Sequence, residues 1–365
     1  MNKDNDIGPM PKLIVSIATL GTGGAERVLS VLSTPLAEQF DAVQYVLWEG
    51  GEPFYPVDSR VKIVSLPDLS GKKGRNRQMM TFRRLVKQEK PDLVLSFLTP
   101  YNMLVLLSTI GLNQKVVAAE RTDPKRLLAG GKIGLRLRDW LYRRADGILT
   151  QTEYAKSCYD EKFSGKTAVI YNPVMMNESQ VGVVLRTEKE RLFVTAGRLE
   201  PVKDQTMMIE AFAAFHKSHP EYKLVIYGEG PMHETLQEEI NGLGLQDAVV
   251  LAGRTNELWN KIACAEAFLL TSEYEGMSNA LIEAMCLGLP VISTKVAGAT
   301  DLIQDGENGF LIDVKDSKAL TDRMKRLADS PDLREQMGRN ASEVYEQVRQ
   351  DKICKQWIEY LKSKI

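Results

Sequence analysis

Four charged side chains are spaced in a way that suits one chemistry. Glu275 and Glu283 bracket Gly276-Met277-Ser278-Asn279-Ala280-Leu281-Ile282, and Arg198 and Lys203 sit in Gly197-Arg198-Leu199-Glu200-Pro201-Val202-Lys203-Asp204. Each segment follows a short apolar run, Ala267–Leu270 and Leu192–Ala196 respectively. Ser278 or Asn279 can start a helix whose buried stripe is Leu281, Ala284 and Met285, with Ile282 beside it. The free N–H groups at such a start favour a phosphate. At helical rise, Glu275 and Glu283 stand on the order of 10 Å apart, about the reach of a diphosphate. Carboxylates accept hydrogen bonds from vicinal hydroxyls, so one could grip a sugar and the other a ribose. Arg supplies a planar fork and Lys a mobile point charge, a combination suited to a diphosphate. Taken singly, each of these residues also reads as an ordinary surface cation or helix-start carboxylate.

Other loops after apolar runs add position rather than chemistry. Gly21-Thr22-Gly23-Gly24-Ala25-Glu26-Arg27 is a glycine turn that exposes backbone N–H groups at a helix start. The dinucleotide fingerprint would need glycine where Glu26 stands, which disfavours an NAD dehydrogenase, and there is no Walker loop. Gly228-Glu229-Gly230-Pro231 and Gly253-Arg254-Thr255-Asn256 fall on the same expected sheet edge as Arg198 and Lys203. The one Asp-x-Asp match, Asp4-Asn5-Asp6, lies in a polar tail, so no metal site is expected.

These loops need a scaffold. The chain has 365 residues, 44% hydrophobic and 26% charged, the composition of a globular protein of two or three domains. Its apolar runs are Leu13–Ile17, Gln44–Trp48, Lys62–Leu66, Leu93–Phe97, Val116–Ala119, Gly147–Thr150 and Ala168–Tyr171. They resume as Leu192–Ala196, Lys223–Tyr227, Val249–Leu251, Ala267–Leu270, Val291–Thr294 and Gly309–Ile312. They do not alternate, and helical patterns separate most of them, so they read as parallel strands covered on both faces. Around a dozen strands exceed one comfortable sheet, so two Rossmann-like α/β domains are expected. The expected boundary is the polar stretch opened by Asn172-Pro173, with domains at 1–172 and 173–350. The last helix, 351–365, sets Ile353, Trp357, Tyr360 and Leu361 on one face and is expected to cross back to the first domain. Ligands of such sheets bind at strand C-termini, here around a shared cleft.

The net charge of −1 hides an asymmetry. Residues 1–175 hold 25 Lys and Arg against 18 Asp and Glu, while the remainder holds 22 against 30. Lys72–Lys90 and Lys125–Arg144 carry much of the excess. These are either solvated helix faces or a surface for an anionic partner, lipid headgroups above all. In Gly131–Arg144 the residues Ile133, Leu137, Trp140 and Leu141 form an apolar side. It either packs on the domain's own sheet or faces a lipid interface. No aromatic-interleaved basic motif supports nucleic acid. The polar start, Met1–Pro11, is unlike a signal peptide, and the scattered cysteines fit a reduced setting, so a cytoplasmic location is expected. The charge-free stretch Leu93–Gln114 reads as a strand and a helix rather than a membrane span.

Together, Glu275-x7-Glu283, Gly197-Arg198 with Lys203, Gly228-Glu229-Gly230-Pro231 and Gly23-Gly24-Ala25-Glu26-Arg27 resemble the retaining glycosyltransferases of family 4, with the two-Rossmann GT-B architecture. The resemblance runs from about Lys12 to the C-terminus. It implies that Arg198 and Lys203 neutralise a nucleotide diphosphate, that Glu275 with Gly276, Met277, Ser278 and Asn279 holds the donor sugar and phosphates, and that Glu283 binds the ribose. Gly228, Glu229, Gly230 and Arg254 would lie near base and ribose, Gly23 and Gly24 near the diphosphate, with Glu26 a further candidate. It implies no metal and no cofactor beyond a nucleotide sugar, UDP by family frequency. Many relatives carry a histidine after the strand Val116–Ala119; here the loop reads Glu120-Arg121-Thr122-Asp123-Pro124, so Glu120 or Arg121 is expected to orient the acceptor. The glycine turn and the Glu120-Arg121 loop look like bacterial members that extend polyprenyl-diphosphate-linked glycans. A nucleotide-sugar epimerase of similar fold and a non-catalytic nucleotide-sugar-binding module are the alternatives.

Overall fold

Strands buried on both faces need apolar residues at nearly every position, and these strands have them. Lys-Leu-Ile-Val-Ser-Ile buries all but its first residue, and Leu93–Phe97 is buried throughout. The computed structural model describes residues 10–67, 71–124, 131–255 and 257–365, with side chains for all of these except 71–73, 185 and 186. The chain divides into two units: one runs to Pro173 and takes in Gln350–Ile365, the other is Val174–Arg349.

In the first unit, Lys12–Ile17 (β1), Ala42–Leu47 (β2), Lys62–Ser65 (β3), Leu93–Phe97 (β4), Val116–Ala119 (β5), Gly147–Thr150 (β6) and Thr167–Val169 (β7) form one parallel sheet. Its order is β3-β2-β1-β4-β5-β6-β7, so the winding reverses between β1 and β4. The crossovers include Gly24–Gln39 (α1), Gly71–Glu89 (α2), Thr99–Ser108 (α3), Gly131–Tyr142 (α4) and Glu153–Phe163 (α5). The charge-free stretch becomes β4 and α3, and among the described residues no helix is long and apolar enough to cross a membrane.

In the second unit, Leu192–Ala196 (β8), Lys223–Tyr227 (β9), Val249–Gly253 (β10), Ala267–Leu270 (β11), Val291–Thr294 (β12) and Phe310–Ile312 (β13) form a second parallel sheet. Its order is β10-β9-β8-β11-β12-β13, with the reversal between β8 and β11. Gln205–His216 (α6), His233–Gly242 (α7), Leu258–Ile262 (α8), Asn279–Leu287 (α9) and Ala297–Leu302 (α10) connect the strands. Ser317–Ala328 (α11), Pro331–Ser342 (α12) and Tyr345–Val348 (α13) follow.

The final helix, Gln350–Lys362 (α14), belongs to the first unit, as its apolar face requires. Ile353, Trp357 and Leu361 are buried, and the Trp357 ring stacks on Phe97 with centroids 5.7 Å apart. Lys362 Nζ donates to Gln39 Oε1 on α1 at 2.7 Å.

Two local expectations shift. Trp48 falls just past β2; its indole donates to Ser16 Oγ at 2.7 Å and stacks on Phe82. In α4 only Leu141 of the four apolar residues is buried; Ile133, Leu137 and Trp140 are exposed. The helix is rotated because its inner face is Gly134, Arg138, Leu141 and Tyr142, whose polar ends bond within the domain. Asp4-Asn5-Asp6, Lys125, Arg126 and Asn256 lie outside the described residues, as do the side chains of Lys72 and Lys73.

Candidate active site

The reversal point of the second sheet brings together two of the charged residues singled out by spacing, Lys203 and Glu275. The β8–β11 ladder holds the register pairs Phe193↔Ala267 and Val194↔Phe268, whereas β8–β9 runs on to Ala196↔Tyr227. The ends of β8 and β11 therefore part, and the loops after them flank the crevice where open parallel sheets bind ligands.

Two backbone devices fix the β8 loop. Gly197 N donates to Tyr227 O and Leu199 N to Glu229 O, both at 2.9 Å. Gly228 (φ +149°) is required there, since a Cβ would overlap the carbonyl oxygen of Gly197. Gly230 stands in the same relation to Leu199. These glycines thus serve close packing of adjacent loops. Pro201–Lys203 forms a 3-10 turn, and Asp204 (φ 47°) caps α6 by accepting from Met207 N at 3.4 Å. Burial pushes the Asp204 carboxyl up.

Hydroxyls at the end of β11 tie that loop down. Thr271 Oγ1 donates to the carbonyls of Lys203 and Asp204 at 2.8 and 3.0 Å. Glu273 N donates to Val202 O at 2.8 Å. The two loops are thereby held side by side, and Lys203 Nζ forms an ion pair with the Glu275 carboxylate. Both side chains are about four-fifths buried, with 17% and 20% exposure, and Ser272 Oγ donates to Glu275 Oε2 at 3.4 Å.

The segment after Glu275 is equally constrained. Gly298 N, in the first turn of α10, donates to Gly276 O at 2.7 Å, and a Cβ at Gly298 would overlap that carbonyl. Met277 is buried. Ser278 caps α9, its hydroxyl accepting from Leu281 N at 3.4 Å, so the helix begins at Asn279. Glu283 is buried inside α9; burial, with its charge nearby, pushes the Cys286 thiol up to about 12.

Arg198 takes a different position. Its side chain is 76% exposed and Nη1 lies 2.7 Å from Glu200 Oε1. Glu229 and Arg254 are exposed on the loops after β9 and β10, whose ends are joined by Gly228 N donating to Gly253 O at 2.8 Å. Spacing alone missed Thr271, Ser272 and Gly298. The signal for the first two was a hydroxyl pair directly after a strand and just before Glu275.

The first unit arranges its own strand ends differently. Gly23 caps α1, and the Glu26 carboxylate folds back against its Cα, in the space a Cβ would take. Tyr55 OH donates to Thr22 O at 3.3 Å, bracing the glycine turn. Glu120 is buried and accepts from Thr99 Oγ1 at 2.7 Å, Asn102 Nδ2 at 3.0 Å and Tyr142 OH. Arg121 lies between the Phe97 and Trp357 rings, 5.1 Å from each centroid, and donates to Asn172 Oδ1 at 3.0 Å. Burial pulls its guanidinium down to about 9. Among the described residues, no group of three or more His, Cys, Asp or Glu is gathered as a metal ion would need.

Two parallel-sheet, Rossmann-like units in one chain are the GT-B arrangement. The family model "Glycosyltransferase Family 4" matches residues 22–178 and "Glycosyl transferases group 1" matches 177–344. A similar curated protein is the Campylobacter jejuni "GalNAc-alpha-(1->4)-GalNAc-alpha-(1->3)-diNAcBac-PP-undecaprenol alpha-1,4-N-acetyl-D-galactosaminyltransferase", 28% identical over 96% of this chain and 98% of its own. The C. jejuni "N-acetylgalactosamine-N,N'-diacetylbacillosaminyl-diphospho-undecaprenol 4-alpha-N-acetylgalactosaminyltransferase" is 27% identical over 96% of this chain and 100% of its own. Among solved structures, Anabaena HepE in complex with UDP and glucose superposes with a TM-score of 0.79 at 20% identity, over 97% of this chain and 100% of its own. The chain belongs to the retaining GT-B glycosyltransferases of family 4, and it is a glycosyltransferase.

Proposed function

We propose that this chain transfers an N-acetylhexosamine or hexose from a UDP-sugar to a polyprenyl-diphosphate-linked saccharide during cell-surface glycan assembly, keeping the sugar's α configuration. The observation that carries the reading is the Lys203–Glu275 pair, held by Thr271 and Ser272 at the reversal point of the second sheet. The two Campylobacter relatives support the acceptor class and HepE, by its bound UDP, the donor.

In this reading Lys203 and Arg198 meet the diphosphate, and the α9 N-terminus capped by Ser278 adds N–H groups. An ammonium has three donors, so the one that holds Glu275 also reaches a phosphate oxygen. Glu275 holds the sugar hydroxyls and Glu283 the ribose. As the bond between the anomeric carbon and the phosphate oxygen breaks, its electron pair goes to the diphosphate. Fixed cations stabilise that growing charge more than they stabilise the ground state. The acceptor hydroxyl forms the new bond on the same face, and its proton passes to the departing phosphate oxygen. The charge is met by these side chains, so turnover is unaffected by a chelator. We place the protein at the inner face of the membrane, drawn to anionic lipid by the basic first unit.

A thermal-shift screen of nucleotide diphosphates and nucleotide sugars tests the reading. UDP and one UDP-sugar raise Tm, as binding to the native state requires, and Glu275→Ala weakens the response to the sugar more than to UDP. No shift with any nucleotide, for a protein that is folded, overturns it. Incubation with donor alone distinguishes transfer from epimerisation, since an epimerase converts the donor without acceptor.

A further inference from the structure

The strand order of the first sheet reverses between β1 and β4, and a carboxylate, a guanidinium and a phenol meet at that point. Glu49 lies two residues past β2 and Tyr101 in the first turn of α3, directly after β4, so the two flank the end of β1. Tyr101 OH donates to Glu49 Oε1. Arg75, on α2 after β3, brings Nη2 to 3.6 Å from the same oxygen, with its guanidinium carbon 6.0 Å from the centre of the Tyr101 ring. Backbone geometry sets these positions. Glu49 N donates to Ala18 O at 2.9 Å, which lays the loop after β2 along the loop after β1. Leu98 turns β4 into α3 at φ +73°, a region that leucine seldom adopts. Strain of this kind persists where the surroundings impose it, and it clusters at ligand sites. Unlike Glu120, Glu49 is not used up. Its side chain is 49% exposed and that of Arg75 41%, and Glu49 Oε2 accepts no hydrogen bond among the described residues.

We infer that Glu49, Arg75 and Tyr101 hold a ring of the acceptor saccharide and select an uncharged sugar over an acidic one. This rests on the saccharide acceptor of the proposed function and adds the chemical class of sugar that the acceptor presents. A half-exposed carboxylate accepts from two vicinal hydroxyls, a guanidinium donates to hydroxyl or ring oxygens, and a phenol does either. Burial and the bond to Glu49 push the Tyr101 hydroxyl up, so it stays protonated as a donor. The charges of Glu49 and Arg75 offset each other, so the pair has no net attraction for an anion. Glu49 also meets any carboxylate or phosphate on the ring with a like charge, which rejects the wrong acceptor as the hydrogen bonds retain the right one.

The test uses two short-chain lipid-linked acceptors, one ending in an N-acetylhexosamine and one in a hexuronic acid, at saturating donor. The wild type prefers the neutral acceptor by about tenfold or more in kcat/KM, and Glu49→Gln, which keeps the shape and removes the charge, narrows that preference. Glu49→Ala and Arg75→Ala raise KM for the neutral acceptor about tenfold, as loss of a charge-assisted hydrogen bond does, with the Tm response to UDP unchanged. Tyr101→Phe keeps the ring and raises that KM about threefold, so it reads the subsite even where Glu49→Ala does not fold. Wild-type KM for the neutral acceptor in the folded variants leaves the three side chains as a brace between loops and overturns the inference. Equal use of the two acceptors by the wild type, or a preference that Glu49→Gln leaves intact, overturns it as well. Transfer by the wild type to neither acceptor fails the proposed function and this inference with it; transfer with unmoved variants fails this inference alone.

Discussion

The two units carry the same kind of strand reversal, and the charged residues that follow their strands are held in different ways. In the second unit the loops after β8 and β11 are stapled by backbone and hydroxyl bonds, so that Lys203 and Glu275 face each other across a partly open crevice. In the first unit the loop after β5, one strand beyond the reversal between β1 and β4, is filled. Glu120 spends its oxygens on Thr99, Asn102 and Tyr142, and Arg121 is closed between Phe97 and Trp357. A charged residue just past a parallel strand is thus not by itself a ligand. What distinguishes the edges is whether neighbouring elements supply partners that consume the charge. In the first unit Glu120 is fully taken up in this way, whereas Arg121, though held between Phe97 and Trp357, the latter from α14, keeps its Nε and Nη2 buried without a hydrogen-bond partner.

The largest effect that can break this contrast is catalytic. Glu275→Ala and Lys203→Ala should each lower kcat/KM on the order of a thousandfold, as removal of one charge-stabilising group commonly does. Because the two side chains touch, the double variant should lose little more than the worse single one. Steady-state kinetics with Tm unchanged would place the loss in the site; wild-type activity in Glu275→Ala would remove it from the site. Next in size is a stability effect at the other edge. Trp357→Ala empties a fully buried site and should cost about 3–5 kcal/mol in urea unfolding. Glu120→Gln replaces a pure acceptor with a group that also donates, leaving buried donors unmatched, for about 1–3 kcal/mol. UDP binding to either variant should stay near wild type at a temperature where it is folded. A fall in kcat without a fall in stability would mean that the first edge is a working site after all.

Much of this was legible in the residues. The strands were readable because parallel, doubly covered strands announce themselves as unbroken apolar runs; Leu93–Phe97, Leu192–Ala196 and Ala267–Leu270 need no tertiary information. The return of α14 was readable for the same reason, since Ile353, Trp357 and Leu361 make a face that must be covered. Lys203 and Glu275 were findable because each follows a strand. Their juxtaposition was not, because it depends on Thr271 and on the reversal of strand order between β8 and β11. The fate of Glu120 was hidden for a related reason. Its partners come from α3 and α4, at positions 99, 102 and 142, which no local pattern connects. The rotation of α4 was hidden too. A helical wheel favours Ile133 and Trp140 as the packed side, but Arg138 and Tyr142 find buried partners, and those bonds set the helix's orientation.

The smallest expected effect sharpens the contrast through pH. Asp139 sits beside the filled edge. Burial pushes its carboxyl up, but hydrogen bonds from Lys162 and Arg138 outweigh burial and hold it below the ordinary carboxylate range. A carboxyl depressed in the folded state contributes stability that is fully present above its unfolded value, about 4, and is lost as pH falls through the folded value. Asp139→Asn has no such titration. At neutral pH the wild type should therefore be more stable by about 0.5–1 kcal/mol, the range for partly exposed pairs. As pH drops below about 4 the two unfolding curves should converge. Convergence seen by circular dichroism, with the same kcat/KM at pH 7 in both proteins, would mark this charge as structural, unlike Glu275, whose removal should act on turnover. A gap that persisted to pH 2 would mean that Asp139 acts through packing, and the role of charge at this edge would rest on Glu120 and Arg121 alone.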